Sequence, residues 1–272
     1  MIKISKTTIL TIILATQAIY PIKAAPLSSQ KDFKISQTVI AQQKQPGQGL
    51  SAVELYNRGV DKLQAGDYQG AIADFTESIQ LNPKDADPYY NRAYAQHILG
   101  NYEQALKDYS QAIQLNPKFA YAYGNRCYAF YRLKRYAEAI ADCTKAIELE
   151  PNYADFYTYR GNAQDDLGNS KNAIADYNDA IRLNPKQANA YYNRGLAYNR
   201  LSESQKALAD YSECIRLSAK FAEAFYNRGV TYLKLGERKQ AIADLQQAAQ
   251  LFIAQGKPNM AEKALKLVKQ VL

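Results

Sequence analysis

The stretch "AYYNRGLAYNRLSESQKALADY", Ala190–Tyr211, decides how the chain is read. It sets a cation, Arg194, and an amide, Asn193, among residues suited to burial. The same Asn-Arg-Gly string stands at Asn57–Gly59 and Asn227–Gly229. Working outward, Arg58, Arg92, Arg126, Arg160, Arg194 and Arg228 follow one another at intervals of 34 residues. Asp74, Asp108, Asp142, Asp176, Asp210 and Asp244 keep the same interval, as do Ala71, Ala105, Ala139, Ala173, Ala207 and Ala241. A fixed period of this length marks a stack of equal units, each too small to bury its own apolar face. Six units run without insertion over 52–85, 86–119, 120–153, 154–187, 188–221 and 222–255.

Inside a unit the apolar spacing is helical. In the second, Tyr89, Ala93 and Leu99 mark one helix, and Ala105, Tyr109 and Ala112 another. Gly66-Asp67 and Gly100-Asn101 supply turns, since glycine accepts the left-handed conformation at a helix end. Pro83, Pro117, Pro151 and Pro185 close four of the units, because proline cannot continue a helix. Lys134 and Ser202 replace the turn glycine in units 3 and 5. Ala219 and Ile253 replace the closing proline in units 5 and 6, which predicts more continuous junctions there. Each unit is thus expected to be a helix–turn–helix hairpin.

Period and signature positions resemble the tetratricopeptide repeat. Counting each unit from its first residue, position 4 holds Leu55, Tyr89, Tyr123, Tyr157, Tyr191 and Phe225. Position 8 is small: Gly59, Ala93, Cys127, Gly161, Gly195 and Gly229. Position 20 is always Ala, and position 24 is aromatic except at Cys143 and Leu245. The resemblance implies an all-α fold, a right-handed superhelical solenoid of six hairpins. Residues 256–272 add an amphipathic pattern (Ala261, Leu265, Val268 and Leu272 against lysines) that fits a C-terminal capping helix.

The recurring arginine sits at position 7 and the recurring aspartate at position 23, equidistant from the turn. Antiparallel helices bring such positions level. One ion pair per repeat is therefore expected in the helix–helix seam: Arg58–Asp74, Arg92–Asp108, Arg126–Asp142, Arg160–Asp176, Arg194–Asp210 and Arg228–Asp244. Arginine suits this place because its planar fork can grip a carboxylate with two bonds.

The first helix of each hairpin lines the hollow side of tetratricopeptide arrays, so the resemblance points positions 5, 6 and 9 into a groove. Asn57, Asn91, Asn125, Asn193 and Asn227 would then form a ladder, interrupted by Tyr159. Tyr56, Tyr90, Tyr94, Tyr128, Tyr192 and Tyr226 would flank it. Amides can pair with any extended peptide backbone, and tyrosines add rigid apolar area. The pattern resembles the asparagine ladder of the O-linked N-acetylglucosamine transferase repeat domain. The carboxylate clamp of chaperone-binding members is not matched, since Tyr56, Asp87 and Gly124 stand at its places.

Other chemistry is sparse. The single histidine, His97, reads as a packed or solvated side chain. Cys127 and Cys143 stand level across one hairpin, but Cα separation between packed helices argues for packing over a disulfide. No metal-ligand spacing, nucleophile motif or phosphate loop is found, and no enzyme activity, cofactor or metal is expected. The formal charge of +8 is carried by the ends, and the array itself is balanced, which removes the continuous basic surface that nucleic acid needs. The C-terminal lysines could attract an anionic membrane surface weakly.

At the N-terminus, Lys3 and Lys6 precede the apolar run Thr7–Tyr20, short for a membrane span and suited to a secretory signal over 1–24. The alternative is an uncleaved membrane anchor. Residues 25–50 are polar and read as a disordered linker. These features together predict an exported, periplasmic or secreted scaffold that binds extended protein segments in its groove. The alternative is a structural scaffold that uses the convex second-helix surface.

Overall fold

The structure, a computed structural model, describes residues 49–272. The expected signal segment 1–24 and the linker up to residue 48 lie outside the described residues. The described chain is all-α and its thirteen helices follow the repeat. They are α1 (Ala52–Gln64), α2 (Tyr68–Leu81), α3 (Ala86–Ile98), α4 (Tyr102–Leu115), α5 (Ala120–Arg132), α6 (Tyr136–Leu149), α7 (Ala154–Asp166), α8 (Ser170–Leu183), α9 (Ala188–Arg200), α10 (Ser204–Leu217), α11 (Ala222–Leu235), α12 (Arg238–Ala254) and α13 (Pro258–Val271). They fall into two compact units that divide after Ala163, inside α7.

Local chemistry sets the helix ends. Ser51 opens α1 with a reciprocal cap: its hydroxyl accepts from the Glu54 N–H, and Glu54 accepts from the Ser51 N–H. Turns between paired helices use one left-handed residue at position 15, at Gly66, Gly100, Gly168 and Gly236. Lys134 and Ser202 take the same conformation, with φ of 60° and 62°. The hairpin geometry therefore overrides the side chain at those two turns.

The junctions correct one expectation. α10 ends at Leu217, and Ser218 adopts φ −143° and ψ 87°, close to the −136° and 87° of Asn184 before Pro185. Ala219 thus ends its repeat as proline does elsewhere. Only α12 runs on, for 17 residues through Ile253, so proline is dispensable at one junction and its absence extends the helix at the other.

In the N-terminal unit the cores are built hairpin by hairpin. Tyr56, Val60, Leu63, Ala71 and Phe75 are buried together with Ala95 of the next repeat. Position 8 must be small because the position-24 ring lies on it: a Cβ on Gly59 would stand 2.6 Å from the Phe75 ring. The same closeness corrects the reading of the cysteines. Position 8 brings the third hairpin's helices so near that Cys127 and Cys143 have Cα atoms 5.4 Å apart, and they form a disulfide. Cys214 is free and buried.

In the C-terminal unit, Tyr192, Leu196, Ala207, Tyr211, Cys214 and Phe221 pack with Ala224 of the following repeat. Ala261, Ala264, Leu267 and Val268 of α13 close the end of the unit against Leu245, Ala249 and Phe252.

Recurring arginines in both units grip their aspartates with two bonds. In the N-terminal unit, Arg92 donates from Nε and Nη2 to the two Asp108 oxygens, both at 2.7 Å. Arg58 binds Asp74, and Arg126 binds Asp142, in the same way. In the C-terminal unit, Arg194 holds Asp210 and Arg228 holds Asp244. The third donor, Nη1, has a use the sequence reading missed: it reaches back one repeat. Arg92 donates to Thr76 Oγ1 at 3.0 Å, Arg126 to Ser110, Arg160 to Thr144, Arg194 to Asn178 and Arg228 to Ser212. Thr76, Ser110, Thr144 and Ser212 each spend their own proton on the carbonyl four residues earlier. The hydroxyl is left as an acceptor, which suits a cation that can only donate.

Candidate peptide-binding face

The expected asparagine ladder is mostly interior. Asn91, Asn125 and Asn227 are fully buried, and Asn57 is nearly so. Each of the first three donates from Nδ2 to the phenol at position 5 of the preceding repeat: Asn91 to Tyr56, Asn125 to Tyr90 and Asn227 to Tyr192, at 2.8–3.0 Å. These tyrosines are buried too, as are Tyr128 and Tyr226. They pack inward, Tyr90 on Tyr109 and Phe119, and Tyr192 on Tyr211 and Phe221. Burial pushes the phenol pKa up at Tyr56 and Tyr90. The groove-facing placement expected for these side chains is therefore corrected: they join one repeat to the next. The physical reason lies one residue away. With arginine at position 7 fixed in the seam, position 6 turns toward the neighbouring first helix and meets the position-5 phenol. Asn193 and Tyr94 alone among the expected contacts are half-buried rather than buried.

The interruption at Tyr159 also has a cause. Its partner position in the preceding repeat is Gly124, which offers no phenol. The space over Gly124 is filled by Phe156, whose ring would stand 2.0 Å from an added Cβ. Asparagine would have had nothing to bind there, and Tyr159 instead lies against Tyr128, ring centroids 5.2 Å apart.

Other side chains on the first helices of the N-terminal unit remain accessible. Tyr94 on α3 and Tyr121 and Tyr131 on α5 are half-buried, as is Arg132 at the end of α5. The Arg132 guanidinium lies over the Tyr102 ring at 4.7 Å and the Tyr128 ring at 5.7 Å. Its Nη1 donates to the Tyr128 hydroxyl at 3.1 Å. His97 stacks flat on Tyr128 at 4.9 Å and meets Tyr102 edge-on at 5.3 Å. Burial, with Arg132 adding to it, lowers the His97 pKa to about 3, so the imidazole is neutral at ordinary pH. His97 is packed, one of the two states expected of it, yet its Nδ1 is buried with no hydrogen-bond partner.

The C-terminal unit carries a different arrangement at the matching helix ends. Arg200 closes α9 and binds Asp165, whose other oxygen accepts from Ser170 at 2.6 Å. Asp166 lies 3.7 Å from the same guanidinium. Asn199 donates to Tyr211 and to Thr231. The sequence reading passed over Tyr102, Tyr131, Arg132, Asp165 and Arg200. A signal was present: Arg132 and Arg200 share position 13, outside the shared signature, where each repeat is free to differ.

Among the described residues no group of three or more His, Cys, Asp or Glu side chains is placed to hold a metal ion. No described helix is long and apolar enough to cross a membrane.

Comparison with known proteins agrees with the geometry. Tetratricopeptide repeat models match residues 86–119, 120–153, 188–221 and 222–253, with a further tetratricopeptide model at 143–175 and a TPR repeat model at 59–100 and 166–202. No curated protein gives a significant match. Among solved structures, YrrB shares 28% identity, covers 71% of this chain and 97% of its own, and superposes with a TM-score of 0.56. MamA from Desulfovibrio magneticus RS-1, at 20% identity, covers 64% of this chain and 98% of its own with a TM-score of 0.59. A tetratricopeptide protein from Parabacteroides merdae, at 18% identity, covers 82% and 94% with a TM-score of 0.63. By its repeat-by-repeat matches, which run unbroken from residue 59 to 253, the chain belongs to the tetratricopeptide repeat family.

Proposed function

We propose that the protein is an exported, non-catalytic scaffold that holds extended protein segments on the first-helix face. The observation that carries this reading is the set of half-buried aromatic side chains on the first helices of the N-terminal unit, Tyr94, Tyr121 and Tyr131, with Arg132 next to Tyr131 at the end of α5. Such rings give large contact area at little conformational cost. The buried asparagines and tyrosines behind them fix the first helices against one another, so the face is pre-organised. YrrB is described as a TPR protein with an unusual peptide-binding site, which lends the reading support by likeness. Export rests on the N-terminal signal pattern, and the Cys127–Cys143 disulfide suits an oxidising compartment.

Two measurements test the two halves. Intact mass of the protein recovered from an envelope or secreted fraction should lack residues 1–24, and a mass retaining them in a soluble cytoplasmic fraction would overturn export. Immobilised protein should retain members of a random octapeptide pool. Tyr94→Ala with Tyr131→Ala should reduce that retention several-fold without lowering helicity. Unchanged retention would remove the face from consideration.

A further inference from the structure

The two position-13 arginines differ in one respect. Arg200 has its carboxylate, Asp165, supplied from position 12 of the preceding repeat. At the same place before Arg132 stands His97. Among the described residues Arg132 has no carboxylate partner; it lies over the Tyr102 and Tyr128 rings and hydrogen-bonds the phenols of both. The seam arginines of the same unit, Arg58, Arg92 and Arg126, all have an acid. Arg132 is thus a partly desolvated cation set against aromatic rings, and its only hydrogen-bond partners among the described residues are neutral phenols, Tyr128 and Tyr102.

We propose that Arg132, framed by Tyr102, Tyr128 and Tyr131, is a subsite for a carboxylate on an acidic peptide segment. The incoming side chain would take the part that Asp165 plays for Arg200. This deepens the peptide-binding reading and rests on it. Three features argue for a carboxylate over other anions. A planar guanidinium fork matches a carboxylate's two oxygens, and a carboxylate would outcompete the neutral phenols that Arg132 now binds. The groups that act on the Arg132 charge, Tyr102, Tyr128 and Tyr131, are all neutral, so a singly charged carboxylate balances it where a phosphate dianion would bring an excess. The neutral His97 adds no second positive charge, and its orphaned Nδ1 marks an interior that the chain itself leaves unsatisfied beside the cation. Glutamate and aspartate would therefore be preferred over glutamine and asparagine, with the preference weakened by salt because the guanidinium edge remains accessible.

The test uses the full chain and two fluorescent pools of octapeptides, randomised at six positions and carrying either Glu-Glu or Gln-Gln at the centre. At low salt the Glu pool should be retained at least tenfold better. Arg132→Gln should bring the Glu pool down to the level of the Gln pool, with an unchanged thermal melt. Arg238→Gln, on the exposed start of α12, should leave the preference intact. His97→Asp should also abolish it, by supplying the acid internally as Asp165 does for Arg200. A Glu preference that survives Arg132→Gln, or equal retention of both pools by the native protein, overturns the subsite while the broader reading stands. Retention of neither pool overturns both.

Discussion

An arginine at position 7 does two things that lysine could not. Its planar fork satisfies both oxygens of the aspartate across the hairpin, and its remaining nitrogen reaches the preceding repeat. Arg126→Leu would keep the apolar stem and strand Asp142, whose carboxyl burial pushes up. Losing one partner of a fully buried pair costs about 3–5 kcal/mol. The guanidinium here keeps some exposure, so a loss of about 2–3 kcal/mol is expected in urea unfolding at pH 7. A value within experimental error of zero would deny the seam any role in stability. The Arg–Asp pairing was legible because both partners recur at one period. The backward bond was not, because Thr76, Ser110, Asn178 and Ser212 vary in type and share only a lone-pair acceptor. Asp87, in the first turn of α3, shows the opposite electrostatics. Burial first, then repulsion from Asp85, raises its pKa to about 6. With an unfolded value near 3.9, the folded state binds the extra proton between the two, so this carboxylate destabilises the fold as pH rises from about 4 to 6. A shift of that size in a fully buried group would be worth about 2.7 kcal/mol, but Asp87 is only half-buried and its place near a helix N-terminus favours the charge. Asp87→Asn should therefore stabilise by only about 1 kcal/mol at pH 8 and by nothing at pH 3, as read by denaturant titration at both.

Between elements, the Asn–Tyr bond joins the first helix of one repeat to the first helix of the next. Tyr90 and Asn125 are both fully enclosed, so neither can turn to water if the other is lost. A double-mutant cycle of Tyr90→Phe and Asn125→Ala should show coupling of about 1 kcal/mol, and Asn125→Ala alone should cost more, since it removes packing and leaves a buried hydroxyl unpaired. Additive effects would mean that the bond contributes nothing net. This bond shows where sequence reading stopped. Helical periodicity gave each helix and its turn, because apolar spacing and glycine act locally. Placing Asn91 and Asn125 required knowing how one first helix rotates against the next. That rotation is set by the small residues at position 8 and the rings at position 24 acting together, and no single position announces it. The same blindness applied to Cys127 and Cys143, whose closeness follows from the small-residue contact rather than from either cysteine.

Across the molecule, each strongly packed helix of the described chain meets chiefly the helix that follows it, and the next but one more lightly. Stability in such an array is a sum of local terms and neighbour interfaces, so a perturbation fades with distance along the chain. The Cys127–Cys143 bond is a convenient place to apply one. It closes a loop over a sequence separation of 16, for which the loop-entropy estimate is about 3 kcal/mol. Reduction leaves two buried thiols where the other repeats set a small residue against a larger ring or leucine side chain, so no compensating contact forms in the third hairpin. Amide hydrogen exchange with and without a reductant should then speed up in α5 and α6, and by a smaller factor in α3 and α4, which pack beside them. α11 to α13 should be unaffected, because they are closed by their own core of Leu245, Phe252 and Leu267. Acceleration of equal size in α11 to α13 would show that the chain unfolds as one cooperative body and that the neighbour-by-neighbour description fails. A change confined to α5 and α6 would instead put the coupling through Arg126–Ser110 and Asn125–Tyr90 below the level that exchange can detect.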